Sequence, residues 1–468
     1  MAAMVALAPR ACALPEAPGL AVPVPGSAAR SAARGRCTAN RWQAAAAAGP
    51  LAAGLAAGRS VRRHRGRGVV ARGGAGLRLE LGLSRASSVV ARAGQWHPGS
   101  ELEPEEAVEQ GEDEPEAQDG EEYEDEDEED NAYSCLGTHR EMIEDRVRTE
   151  AFRQAILRTC PGKIVLEVGC GTGILSVFAA KAGAARVVAV EANPEAAAYA
   201  ADVVESNGFK GVVEVLQGRV ESLIEEVELE LSRAGAGEAK ADVIISEWMG
   251  FALVCEDMFP SVAFARDRWL AEGGAMLPAS CSVWAAPFCN DALVERMTGY
   301  WHSNPYGVDL SALARPALDQ HIDQPVIATL APSGLLATPA RLWDLDCVIA
   351  TGEESEQQRL DFSWEVAKAG EFHGLALWFQ CQLCEGVAFS TGPEAESTHW
   401  EQALLFVGTE SLAHGLPLRP GDRVAGELKW LAHGSSLGVV FTGEAASAAQ
   451  ADAVEPTPFA RRLVLHVT

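Results

Sequence analysis

Lysine is missing from the first hundred residues of this 468-residue chain, and acids nearly so: 14 arginines stand there against Glu16 and Glu80 alone. Basic residues are missing in turn from 101–130, where 19 positions are Asp or Glu. The formal net charge of −28 thus divides into +12, −19 and, on residues 131–468, −21. A folded part this acidic repels phosphates and attracts cationic ligands. Direct nucleic-acid partners are excluded on that ground. No apolar run approaches the ~18–20 residues that a bilayer span requires, so no membrane helix is expected. The 11 cysteines follow no repeated spacing. Their close pair, Cys381 and Cys384 in "WFQCQLCEG", falls in a strand-like run, where positions i and i+3 point to opposite faces. Buried free thiols in a reducing compartment are expected, and no metal.

Residues 1–95 are rich in Ala, Gly, Pro and Arg and hold no amphipathic period. Acid-poor N-termini containing Arg and Ser are either disordered tails or transit peptides, the second placing the mature protein in a plastid or other organelle. Residues 96–130 read as a solvated, self-repelling linker. Order is expected from Asn131, and the apolar positions of "HREMIEDRVRTEAFRQAIL", 139–157, predict one helix. Next come a strand at Ile164–Val168, a glycine turn, a helix from Ile174, a strand at Arg186–Val190 and a second helix. This βαβ unit implies a right-handed crossover and a parallel sheet. Strands at Val212–Gln217 and 241–247 extend it, and "FARDRWLAEGGAMLPAS" supplies a helix, a turn and a fifth strand. After Pro278 the alternating runs "RVAGELKWLAH" and "LGVVFTGE" read as antiparallel strands. The expected fold class is α/β plus β: a Rossmann-like domain over 131–278, then a β-barrel domain over 279–468.

"EVGCGTG" sets Gly169, Gly171 and Gly173 between a strand and a helix. Glycine lets the backbone approach a ligand, and a helix N-terminus offers N–H groups. Glu191 closes the next strand, 22 residues beyond Gly169, where a carboxylate can accept two ribose hydroxyls. The G-x-G-x-G spacing differs from the G-x-G-x-x-G of dinucleotide binders, and no phosphate-binding Lys follows. An adenosyl ligand without phosphates, S-adenosylmethionine, fits these absences.

"ISEWMGFALVCEDM", 245–258, holds Glu247 and Glu256 in largely apolar company without any Lys, Arg or His. Carboxylates in such surroundings are costly unless their charge is compensated. A substrate guanidinium would supply the missing cation. It stays charged in any protein setting and repels a sulfonium donor by ~4 kcal/mol at ~4 Å and an effective dielectric near 20. Two carboxylates reverse that sign, orient the acceptor and draw its charge away from the attacking nitrogen.

At this point the sequence resembles the protein arginine N-methyltransferases. "SEWMGFALVCEDM" is similar to their double-glutamate loop, "ESTHW" (396–400) to their THW loop, and "VGCGTGILSVFAAKAGA" and "ARDRWLAEGG" to further family segments. The resemblance runs from about Tyr133 to the C-terminus. It implies that Glu247 and Glu256 clamp the guanidinium. His399, in the loop that also brings Trp400 to the substrate, would order the acidic pair. It further implies that Arg148 pairs with the donor carboxylate, with Tyr133, His139 and Met142 near the donor. Glu191 would hold the ribose, and Glu221 would lie at the adenine. Met142 and Met258 match the methionines of type I relatives, which make monomethyl- and asymmetric dimethylarginine. "GYWHSNPYGVDLSAL" (299–313) resembles the arm through which family members form homodimers, within an arm region near 290–325. Protein substrates with Arg-Gly-rich or histone tails, and a location in cytoplasm and nucleus, follow from the same resemblance. Two positions depart from the family: Phe251 stands where a tyrosine is usual, and Glu129 where the first of two lid tyrosines is usual. A catalytically weak, dimeric interaction module and a small-molecule methyltransferase are the alternatives.

Overall fold

Parallel and antiparallel pairing divide the residues that the computed structural model describes: 133–234, 238–408, 416–434, 436–446 and 456–466. The tail 1–95, the acidic linker and Glu129 lie outside the described residues. Helices α1 (Leu136–Glu144) and α2 (Arg146–Thr159) replace the single helix that the apolar pattern predicts. Asp145 breaks it. Its backbone is extended, at φ −66° and ψ 96°, and its carboxylate accepts the Arg148 N–H at 3.0 Å. Asp145 therefore caps α2 instead of continuing α1. The stripe Arg148, Ala151, Phe152, Ala155 and Ile156 then turns inward.

There follow β1 (Ile164–Val168), α3 (Ile174–Ala182), β2 (Arg186–Glu191), α4 (Pro194–Ser206), β3 (Val213–Gln217), α5 (Ile224–Ala234), β4 (Ala241–Ile245), α6 (Phe259–Trp269) and β5 (Leu270–Leu277). The strands pair in parallel in the order β3-β2-β1-β4-β5. Chain direction across the sheet reverses between β1 and β4, so the crevice at their carboxyl ends is the place for a ligand. The strand expected over 241–247 ends at Ile245 because Ser246 is held from two sides. Its N–H donates to Leu277 O at 3.0 Å and its hydroxyl to Val168 O at 2.8 Å. Glu247 is thereby released into a loop at the crevice. No turn separates α6 from β5; its glycines fall in a bulge, where pairing with β4 jumps from Ala241–Leu270 to Val243–Ala275.

The antiparallel half comprises β6 (Ser280–Phe288), α7 (Asp291–His302), α8 (Ala314–His321), β7 (Val326–Ala328), β8 (Ala340–Asp346), α9 (Gly352–Glu356), β9 (Gln357–Glu365), β10 (Gly370–Glu371), β11 (Gly374–Cys384), β12 (Val387–Ser390), β13 (Gln402–Phe406), β14 (Pro417–Leu418), β15 (Arg423–His433), β16 (Ser436–Ala446) and β17 (Thr457–His466). One sheet runs β7-β13-β11-β6-β8, with β12 on β11, and another runs β17-β16-β15-β9. Val283, Leu375, Phe379, Leu428 and Phe441 from these sheets share one core with Val168, Ile245 and Trp248 of the parallel half. Helices α7 and α8 form the arm. Leu293, Leu318 and Ile322 pack its base on Phe288, Trp378 and Phe406, while Tyr300, Tyr306, Val308 and Leu313 stay exposed toward its tip.

Candidate active site

A cavity of about 400 Å³ opens where the carboxyl ends of β1, β2 and β4 meet the antiparallel half. That is within the range of small-molecule sites. Tyr133, His139, Met142, Arg148, Gly169, Gly171, Glu191, Glu221, Glu247, Glu256, Met258, His399 and Trp400 all line it. Gly173, expected beside the other two glycines at the donor, does not. It caps α3 with φ 77°, and a Cβ there would lie 3.2 Å from the Ala200 Cβ. Its smallness lets α3 approach α4, which is a packing role. Gly169, at φ 72°, does face the cavity, and a Cβ on it would come within 2.4 Å of Met258 Cε.

The β1–β2 side of the cavity is held by backbone. Glu191 Oε2 accepts the Gly171 N–H at 2.7 Å, and its Oε1 accepts the Asn193 N–H at 2.9 Å. The second strand's acid is thus aimed across the glycine turn. Asn193 caps α4 by accepting the N–H groups of Glu195 and Ala196, and its amide donates to Ser134 Oγ at 3.0 Å. Beneath the turn lies Glu167, 1% exposed, which accepts the Ser176 hydroxyl. Burial pushes its carboxyl up to about 8, with nearby Glu191 adding to the rise and Ser176 opposing it. Glu221 sits exposed at the rim.

The β4 side is held by charged and polar side chains. Arg148 donates from Nε at 2.8 Å and from Nη2 at 2.5 Å, both to Glu247 Oε2, and from Nη1 to Met142 O at 3.1 Å. Each side chain of the Arg148–Glu247 pair is only 8% exposed. Arg148, which the resemblance assigns to the donor, therefore also braces Glu247. Tyr133 donates its hydroxyl to Glu256 Oε2 at 2.7 Å. Burial, and then the Glu256 charge, hold that phenol well above its ordinary range. His139 Nε2–H donates to Tyr133 O at 2.7 Å, tying α1 to the residue that covers Glu256. The loop reaches this geometry through strain: Ala252, Leu253 and Asp257 have φ of 51°, 80° and 48°. Such angles are rare for side chains of this kind and cluster at functional sites. Leu253 and Cys255 anchor the loop by complete burial.

The antiparallel half closes the site. Asp145 Oδ2 accepts both the His399 N–H, at 3.0 Å, and Nδ1–H, at 2.7 Å. Burial raises the Asp145 carboxyl, but His399 and the two backbone N–H groups outweigh it and leave it below its ordinary value. Trp400 donates Nε1–H to Met249 O at 2.8 Å, pinning the glutamate loop from above, and stacks on Phe389. Sequence reasoning missed Asp145, Glu167 and Asn193. "NPEA" carried a legible signal for Asn193, an N-cap followed by Pro; Asp145 was hidden inside an apparently continuous helix.

Among the described residues, Cys289, Asp291 and His373 are grouped closely enough to suggest metal ligation, at the base of the arm. His373 Nδ1, however, accepts the Asn290 N–H at 2.9 Å, so the neutral ring carries its proton on Nε2, the atom nearest Asp291. That tautomer opposes a metal there.

The parallel sheet, glycine turn and strand-end acid define a methyltransferase with a cofactor of the S-adenosylmethionine type. Residues 150–263 match the model of the ribosomal protein L11 methyltransferase family. Residues 279–433 match that of the arginine methyltransferase oligomerization subdomain. The chain is 37% identical over 306 residues to the probable protein arginine N-methyltransferase 6.1 of Oryza sativa subsp. indica, covering 59% of this chain and 77% of the relative. It is 40% identical over 287 residues to protein arginine N-methyltransferase 6 of Xenopus laevis, covering 59% and 80%. Among solved structures, the Trypanosoma brucei PRMT1 enzyme–prozyme complex with AdoHcy superposes with a TM-score of 0.59 at 30% identity, over 71% of this chain and 99% of that one. The Arabidopsis thaliana protein arginine methyltransferase 10 does so with 0.57 at 29%, over 72% and 99%. The chain belongs to the protein arginine N-methyltransferase family.

Proposed function

We propose that the protein transfers methyl groups from S-adenosylmethionine to guanidinium nitrogens of arginines in Arg-Gly-rich or histone-like segments, giving monomethyl- and asymmetric dimethylarginine and S-adenosylhomocysteine. One observation carries this reading: Glu247 and Glu256 reach the same cavity as the glycine turn and Glu191. In the proposed reaction the guanidinium enters between the two glutamates, its charge compensated there, and a nitrogen lone pair faces the donor methyl. Arg148 lies between the two sites, bonded to Glu247 and beside the place for the donor carboxylate. No metal takes part in this scheme. Met142 and Met258 both line the pocket, and their slender thioethers leave room for a monomethylated nitrogen to rotate back toward the donor. The exposed Tyr300 and Tyr306 of the arm support a homodimer. Phe251 favours the second reading, a catalytically weak dimeric module, because it supplies no hydroxyl to the acceptor. The family location, cytoplasm and nucleus, and a plastid or other organelle remain competing proposals that sequencing the mature N-terminus from cells decides. Incubation with labelled donor and an Arg-Gly-rich peptide tests the activity. Mass spectrometry should find asymmetric dimethylarginine; symmetric product alone, or none, would overturn the type I assignment or the activity.

A further inference from the structure

Three thiols meet where β6 pairs with β11 on one side and β8 on the other. Cys281 on β6 and Cys381 on β11 are direct partners in the antiparallel register, and their Sγ atoms lie 3.0 Å apart. Cys347, the residue after β8, lies opposite Ala279, two positions from Cys281 on the same sheet, and its thiol interacts electrostatically with that of Cys281. Exposures of 2%, 0% and 0% for Cys281, Cys347 and Cys381 place all three in the core.

We propose that Cys281 and Cys381 are a thiol–disulfide modification site, converted by a small aliphatic disulfide into a cross-strand disulfide, with Cys347 as the thiol that exchanges with it. The register supplies the geometry. Directly opposed strand residues have Cα atoms ~4.5–5.5 Å apart, inside the ~4.4–6.8 Å span of disulfides. The sulfurs must close by about 1 Å to reach the bonded ~2.05 Å, which side-chain rotation can supply without moving either strand. The sequence pattern predicts only buried free thiols, because periodicity sets Cys381 and Cys384 on opposite faces of a strand but cannot show which residue opposes either.

The chemistry balances as two exchanges. Cys281 loses its proton to solvent and attacks one sulfur of the small disulfide; a mixed disulfide forms and one small thiolate leaves and is protonated. Cys381, deprotonated in turn, attacks the Cys281 sulfur and expels the second small thiol. Two protein thiols are oxidised and one small disulfide is reduced to two thiols. Cys347, once it has lost its proton, can then attack the Cys281 sulfur, forming the Cys281–Cys347 bond and releasing Cys381 as a thiolate that takes up a proton in its place.

Position gives the site a link to both halves of the protein. The Cys347 N–H donates to Ala279 O at 3.0 Å, and its carbonyl accepts from Arg266 of α6 at 3.1 Å. The Glu247 charge reaches both Cys281 and Cys381. Burial raises the Cys281 and Cys381 thiols, and the Cys281 thiol followed by burial raises Cys347. Thiolates are therefore scarce at neutral pH, and oxidation should accelerate about tenfold per pH unit.

The full chain is incubated with cystamine at pH 7 and pH 9, with and without urea below the unfolding midpoint. It is then blocked with N-ethylmaleimide, digested without reductant and mapped by mass spectrometry. A Cys281–Cys381 linked peptide, formed faster at pH 9 and abolished by dithiothreitol, is expected. In Cys381→Ala the link should move to Cys281–Cys347. Both thiols blocked by maleimide under every condition, or Cys281 joined only to cystamine, would overturn the site. Failure of the link to move in a folded Cys381→Ala or Cys381→Ser protein would overturn the exchange role of Cys347.

Discussion

The two walls of the cavity are made of different material. On the β1–β2 side a short, contiguous stretch does the work: positive-φ glycines, N–H groups and a strand-end acid placed by local geometry. On the β4 side, charged side chains from distant parts of the chain hold one another: Arg148 with Glu247, Tyr133 with Glu256, Asp145 with His399. The donor wall draws its contacts chiefly from one βαβ unit, whereas the acceptor wall needs the N-terminal helices, the strained loop and the antiparallel half together. Changes in the first should act on donor affinity, and changes in the second on turnover.

Glu256→Gln gives the sharpest break of that comparison. Turnover should fall by at least about 10²-fold, because a carboxylate that compensates the acceptor charge is lost. Donor affinity, measured by calorimetry, should stay near wild type; near wild-type turnover would remove Glu256 from the clamp. Gly169→Ala should do the reverse. The φ of 72° and the contact with Met258 make a methyl group there strained, by about 1–3 kcal/mol. Donor affinity should drop by about tenfold or more, read from the same calorimetry, with turnover at saturating donor less affected.

Asp145→Asn keeps a helix-capping side chain but removes the charge facing His399. A several-fold loss of turnover and a stability loss of about 1–2 kcal/mol are expected from denaturant melts. The sign with pH follows from the lowered carboxyl. The stabilisation is present above the ordinary carboxylate value and disappears as pH falls through the depressed one, so only the wild type should lose it on acidification. The smallest effect on turnover is assigned to Glu167→Gln, whose signature is the pH dependence of stability. With its carboxyl raised to about 8 in the folded protein, Glu167 stabilises most below the ordinary carboxylate range and loses that contribution as pH rises toward 8. Thermal melts of the glutamine variant should lack this decline and match the wild type at acidic pH. A wild-type melting temperature unchanged between pH 5 and 9 would refute the assignment.

The same contrast explains what could be read from sequence. Glycine spacing, the strand-end acid and the two-fold change from helix–strand alternation to antiparallel runs are local signals, and they located the parallel sheet, the donor turn and the second half. Glu247 and Glu256 were legible because charge in an apolar loop demands an explanation. Asp145 was not, since a single polar residue between two helical stretches looks like one more exposed position of a longer helix. Its role depends on His399, 254 residues away. Gly173, which packs on Ala200, shows the opposite limit: the glycine pattern marks three special positions without saying whether ligand or neighbouring helix requires each one. Strand ends were missed by two residues at β4 because Ser246 is captured by Leu277 and Val168, partners that no periodicity reveals.

The Tyr133 hydroxyl on Glu256 and the Tyr133 carbonyl on His139 tie one residue both to the glutamate loop and to α1. Under the proposed function, one residue tied to both would make binding ordered, the donor entering before the peptide; product-inhibition patterns that show random binding would count against it.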